Sequence, residues 1–186
     1  MTGFIPEITT TVETLVDTTS INDAINLMQD DDILSQCFSE IIDYLENKKD
    51  EFENIKDPLA EKMAESLSSH QGRIIRGLHY QTGMMANSVD VSHDGDGVYL
   101  VGNTATSVDG FPYPLAIEKG TVGHYVAPVT FDALHWIDKE SGENRFSKGH
   151  YVTGIKADPY VDDSIDLTMS VADDYINEIV SRILGG

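Results

Sequence analysis

The chain has 186 residues, of which 32 are acidic and 12 basic, giving a formal net charge of −20. That imbalance excludes a generic basic nucleic-acid-binding surface, because the excess negative charge repels phosphate. A hydrophobic fraction of 40% excludes full disorder, and the length suits a domain that folds without disulfide or metal.

The opening residues, Met1 to Glu7, lack a basic n-region and an apolar h-region, and no run of eighteen apolar residues follows. A soluble protein made in a cytoplasm, without a membrane span, is the expectation. Residues 7–80 read as helical. Ile8, Val12, Leu15 and Val16 recur at helical spacing, with threonines between them. A stronger stripe is Leu34, Cys37, Phe38, Ile41, Ile42 and Leu45. Asp30, Asp31 and Asp32 precede it, where carboxylates meet free N–H groups and the positive end of the helix dipole. Cys37, the single cysteine, falls on the apolar face and reads as a buried thiol. Asp57-Pro58 reads as a cap with proline at the first helical position, and Leu59, Met63, Leu67, Ile74 and Leu78 continue an apolar face. Residues 1–57 are therefore expected to form an acidic helical arm, and 58–186 an α+β domain.

The pattern changes after Gln81-Thr82-Gly83. Val89, Val91 and His93 alternate with polar residues, as do Val98 and Leu100, and Asp94-Gly95-Asp96-Gly97 lies between the two runs. This predicts a β-hairpin. Residues 103–112 read as a loop, Tyr113–Lys119 as a short helical turn, and His124–Phe131 as extended around Pro128. Leu134, Trp136 and Ile137 begin a strand. Residues 138–149 read as a long polar hairpin tip, and Tyr151–Ile155 as the returning strand. Asp158-Pro159 repeats the cap-plus-proline device before a last helix that ends at Gly185. The predicted fold is α+β. N-terminal helices come first, then an antiparallel sheet of about four strands, then a C-terminal helix packed on the sheet.

Motifs for chemistry are lacking. His93-Asp94-Gly95-Asp96-Gly97 opens like a calcium loop, but the twelfth position counted from Asp94 is Ala105, not a bidentate glutamate. Gly72-Arg73-Ile74-Ile75-Arg76-Gly77 has no lysine and no preceding strand, so it is not a phosphate loop. There is no G-x-S-x-G, and the six histidines form neither H-E-x-x-H nor H-x-H. No enzyme, cofactor or metal is expected.

One order of features resembles the tail-component, or tail-completion, neck proteins of long-tailed phages and archaeal tailed viruses. It begins with a helix running through Gln81-Thr82-Gly83 into the strand near Val89, followed by a hairpin to Gly102-Asn103. Next comes Tyr113-Pro114-Leu115-Ala116-Ile117-Glu118-Lys119-Gly120-Thr121. Ala127-Pro128 then leads to Ala133-Leu134-His135-Trp136, and Asp158-Pro159-Tyr160-Val161 opens the last helix. The likeness covers about residues 70–184. The chain departs from the family pattern in its long acidic arm and in Pro128-Val129, where the family has Pro-Lys.

The resemblance implies a structural virion protein that forms a ring at the head–tail junction, sixfold in the family. Its partners would be itself, a neighbouring connector protein, and a tail-tube or terminator protein. Genomic DNA would pass without specific binding, and no membrane partner is implied. Tyr113, Glu118, Lys119, Gly120 and Thr121 are then candidates for a subunit contact. Trp136 is a candidate core or interface aromatic, and the loop holding Arg145 and Phe146 is a candidate for reaching the next ring or the channel. The −20 charge suits a channel in which DNA slides. Two alternatives stay open: a tail terminator capping the tube, and an acidic protein that mimics DNA. A small hydrolase or metalloenzyme is a third, more distant reading.

Overall fold

The computed structural model describes residues 8–15, 17–29, 39–78, 83–108, 110–138 and 140–185. In chain order the elements are β1 (Ile8–Glu13), α1 (Thr19–Gln29), α2 (Ser39–Asn54), α3 (Lys56–Leu78), α4 (Met84–Asn87), β2 (Val89–Gly95), β3 (Val98–Asn103), α5 (Tyr113–Lys119), β4 (His124–Val126), β5 (Leu134–Ile137), β6 (Asn144–Ser147), β7 (His150–Val152) and α6 (Tyr160–Gly185). The class is α+β. Two compact units divide the chain, one of Glu7–Ala105 with Tyr160–Gly186 and the other of Thr106–Pro159.

The first unit holds a three-stranded antiparallel sheet in the order β1-β3-β2. Strand β1 corrects the helical expectation for residues 8–13. Ile8, Val12 and three consecutive threonines make it almost wholly β-branched, which favours the pleated backbone over a helix. It pairs along the whole of β3, from Ile8 opposite Asn103 to Glu13 opposite Val98. The unit boundaries therefore do not follow the division expected at residue 57. The hairpin β2–β3 forms where the Asp-Gly turn predicts it, with an irregularity between His93 and Gly95.

Helix α3 crosses this sheet. Ala60, Ala64 and Leu67, spaced along one face, are buried against Tyr99 and Val101 of β3, with Val12, Val89, Val91 and Ile165 around them. The two alanines let the helix backbone approach the strands closely. Ile165 brings α6 onto the same core, as expected for a C-terminal helix packed on the sheet. Ile42 of α2 is buried, while Ile41 of the same predicted stripe is exposed. Leu34, Cys37 and Phe38, with Asp30 to Asp32, lie outside the described residues. Lys48 of α2 donates to the Ile183 carbonyl in the last turn of α6 at 2.6 Å, which places a cation at the negative end of that helix.

Asp57 ties α3 to the hairpin instead of capping its own helix. Its carboxylate accepts from the Gly97 N–H at 3.1 Å and the Tyr99 hydroxyl at 3.3 Å, and lies 3.1 Å from His93 Nε2. The Gly97 N–H above all, then the His93 charge and the Tyr99 hydroxyl, hold this carboxyl below the ordinary carboxylate value, against an opposing effect of burial. A group depressed in the folded state stabilises above its unfolded pKa, and that contribution is lost as pH falls through its folded value. The acid limb of stability, below about pH 4, should therefore be shallower in Asp57→Asn. Urea unfolding from about pH 3 to 7 measures this, and an unchanged acid limb would contradict it.

The second unit contains α5 and two two-stranded ribbons, β4–β7 and β5–β6. Two expectations are corrected here. The returning strand β7 pairs with β4, Tyr125 opposite Tyr151, and not with β5. The polar stretch 138–149 is not all tip, because Asn144–Ser147 form β6 against β5. Asp138 closes the shorter turn by accepting from the N–H groups of Glu140 and Ser141 and from the Ser141 hydroxyl. Among the described residues the strands form sheets of three, two and two strands, where one sheet of about four was expected.

Candidate functional site

The Tyr113–Thr121 segment is organised inside its unit. Tyr113 opens α5 half-buried, with Pro114 and Ala116 buried behind it. Glu118, expected at a subunit contact, is 4% exposed, which withdraws it from the surface. Lys119 beside it is exposed, its Nζ 3.9 Å from the Glu118 carboxylate. Gly120 has φ 71°, and a Cβ there would stand 2.7 Å from the Ala157 nitrogen and 2.8 Å from the Ile155 oxygen. Only glycine fits both the backbone angle and the space.

Thr121 completes a reciprocal clasp with Ile155. Its N–H donates to the Ile155 carbonyl at 2.8 Å, and its hydroxyl accepts from the Ile155 N–H at 2.9 Å. The Asp158 N–H donates to the Ile117 carbonyl at 2.9 Å and fastens the end of the unit to α5. Gly-Thr therefore closes the unit on itself. Of the five residues expected from this segment, Lys119 is the one left exposed.

Trp136, Arg145 and Phe146 all lie on the β5–β6 ribbon, Trp136 and Arg145 on one face and Phe146 on the other. Trp136 pairs across the ribbon with Arg145, and His135 with Phe146. The His135 and Phe146 rings stack with centroids 4.8 Å apart, and Trp136 lies tilted against His150 at 5.3 Å. Trp136 is 41% exposed and Phe146 69%. Arg145 bonds Glu143 at 3.1 Å and approaches Asp138 at 3.8 Å. His150 Nδ1 is buried and has no hydrogen-bond partner among the described residues.

Sequence reasoning missed the residues around these. Val129 is 99% exposed and Phe131 80%, and Val122, Tyr125, Ile137 and Tyr151 are also exposed. Tyr125 and Tyr151 meet edge to face at 6.0 Å. The signal was present in the composition. Large apolar residues recur at 122, 125, 126, 129, 131, 134, 136 and 137, and two-stranded ribbons leave much of such a pattern uncovered. Aromatics are enriched where proteins meet proteins.

Among the described residues no group of three or more His, Cys, Asp or Glu stands close enough to hold a metal ion. No described helix is long and apolar enough to cross a membrane. The chain matches no family model, no curated protein and no solved structure.

Proposed function

We propose that this chain is a non-enzymatic structural subunit of a tailed-virus neck, which forms a ring at the head–tail junction and joins the capsid connector to the tail. The resemblance of residues 70–184 carries the viral assignment. The observation that supports assembly is the exposed aromatic and aliphatic surface of Thr106–Pro159. A two-stranded ribbon is at best marginal alone, so surfaces like those of β4–β7 and β5–β6 gain most from a neighbour. A closed ring buries such a patch by joining one face of each subunit to a different face of the next.

The acidic residues fit the same reading. Asp162, Asp163, Asp166, Asp173, Asp174 and Glu178 are exposed on α6. Acids of this kind along a channel repel phosphate and keep passing DNA from sticking. Density for this chain in the neck of purified particles is the expected result of cryo-microscopy, and its absence from particles overturns the reading. A ring at the top of the tail tube alone would assign it as a terminator.

The charge also sets a solution test. Subunits of −20 repel one another, and the Debye length shrinks from about 10 Å at 0.1 M salt to about 3 Å at 1 M. Light scattering should find the assembled fraction rising with salt over that range. A chain that stays a monomer or dimer across that range and captures a basic partner would favour the DNA-mimic alternative, in which acidic faces bind a basic partner.

A further inference from the structure

Beside the edge strand β1 the first unit carries an open groove of about 630 Å³. Phe52, Met63, Leu67, Ile165, Met169 and Ile176 supply much of its apolar lining, and its two charged lining residues, Glu13 and Asp17, are both acids. The volume lies within the range that holds a substantial apolar group. Met169 and Ile176 are exposed at its side, so the groove opens to a partner.

We infer that this groove receives the β5–β6 hairpin of a second copy of the chain, a contact that rests on the ring reading above and names its two faces. Three observations select a second copy over an unrelated partner. The hairpin carries exposed apolar anchors on one face, Ile137 and Phe146, with Trp136 on its other face, and the groove is an apolar recess on the other unit of the same chain. A hairpin of one copy seated in a groove of the next is a heterologous contact, the kind from which rings close.

The second observation is the charge balance of the hairpin. Asp138, Glu140 and Glu143 are matched by Lys139, Arg145 and Lys148, in a chain whose net charge is −20. This neutral stretch is a place where one acidic copy approaches another without like-charge repulsion. The third is complementarity in sign. Arg145 and Lys148 flank Phe146, while Glu13 and Asp17 border the recess. Aromatic anchors seated in an apolar pocket, with charges at the rim, are the arrangement that concentrates binding energy.

The test uses the full chain with the photoreactive residue p-benzoylphenylalanine in place of Phe146, irradiated in salt that promotes assembly. The expected product joins two chains, with the adduct mapped to peptides of β1 or to Ile165–Val180 of α6. Met169→Arg should weaken assembly at least tenfold and leave the far-UV spectrum and melting temperature unchanged. Assembly with adducts mapped elsewhere, or within one chain, overturns the hairpin-in-groove contact and leaves the ring standing. A chain that stays monomeric at every salt concentration and is missing from particles overturns the ring, and the contact with it.

Discussion

Replacing Gly154 with alanine is expected to be among the most damaging single changes to the unit Thr106–Pro159. A Cβ at position 154 would fall directly on the carbonyl of Thr121, with the Val122 backbone also inside contact distance. Neither neighbour is the far end of a flexible side chain, so the clash must be relieved by separating two backbone segments. Those segments carry the Thr121–Ile155 clasp. Overpacking costs about 1–3 kcal/mol in ordinary cores, and rigid backbone on both sides places Gly154→Ala near about 3 kcal/mol. Trp136, the single tryptophan, lies in this unit and reports on it. The denaturant midpoint followed by tryptophan fluorescence should fall clearly in the variant. A midpoint equal to the parent's would mean that the backbone approach is not as close as described.

The second large effect concerns the other unit. Leu67 is 2% exposed and packs in one cluster with Ala60, Ala64, Tyr99 and Val101, where α3 meets β3. Truncating a buried leucine to alanine costs about 2–5 kcal/mol, the lost transfer energy plus a cavity term. Leu67 also borders the groove, so the site can partly refill with solvent, which places Leu67→Ala toward about 3 kcal/mol. For a chain of this size that corresponds to a fall in melting temperature of roughly 6–12 °C. Helical circular dichroism on heating measures it, because α3 and α6 belong to this unit. A fall under about 2 °C would show that Leu67 is not part of the core.

Much of the fold was legible in the sequence, and for identifiable reasons. The β2–β3 hairpin announced itself through alternation on either side of an Asp-Gly turn, which is a local signal. Helix α6 did the same through Asp158-Pro159 before it and Gly185 at its end. Strand β1 was misread because Ile8 and Val12 satisfy both periodicities: they are four apart, and a strand places them on one face. What decides between the two is the pairing with Val98–Asn103, far along the chain and absent from any local window. Strand β6 was hidden because Asn-Arg-Phe-Ser is short and mostly polar, and is held by its opposite strand rather than by propensity.

The candidate site was legible in part. Trp136, Arg145 and Phe146 gather on one ribbon, as their proximity in sequence allowed. Glu118 and the Gly-Thr pair looked like surface features because charged and turn residues usually are. Glu118 is buried within its own unit, and Gly120 and Thr121 close against residues 155–157 of that unit. The exposed aromatics at 125, 131 and 151 escaped notice because exposure depends on how many strands cover a face, and the strand pairing was misassigned.

The position of β1 has a consequence for how the protein is made. Its pairing partner is translated only after α1 to α4 and the first hairpin strand. At ~5–20 residues per second the N-terminal strand waits on the order of ten seconds without its neighbour. A bare strand of isoleucine and valine would invite adhesion between nascent chains during that interval. Thr9, Thr10 and Thr11 keep the β-branched geometry while presenting hydroxyls to water, so the segment stays ready to pair without being sticky while it waits.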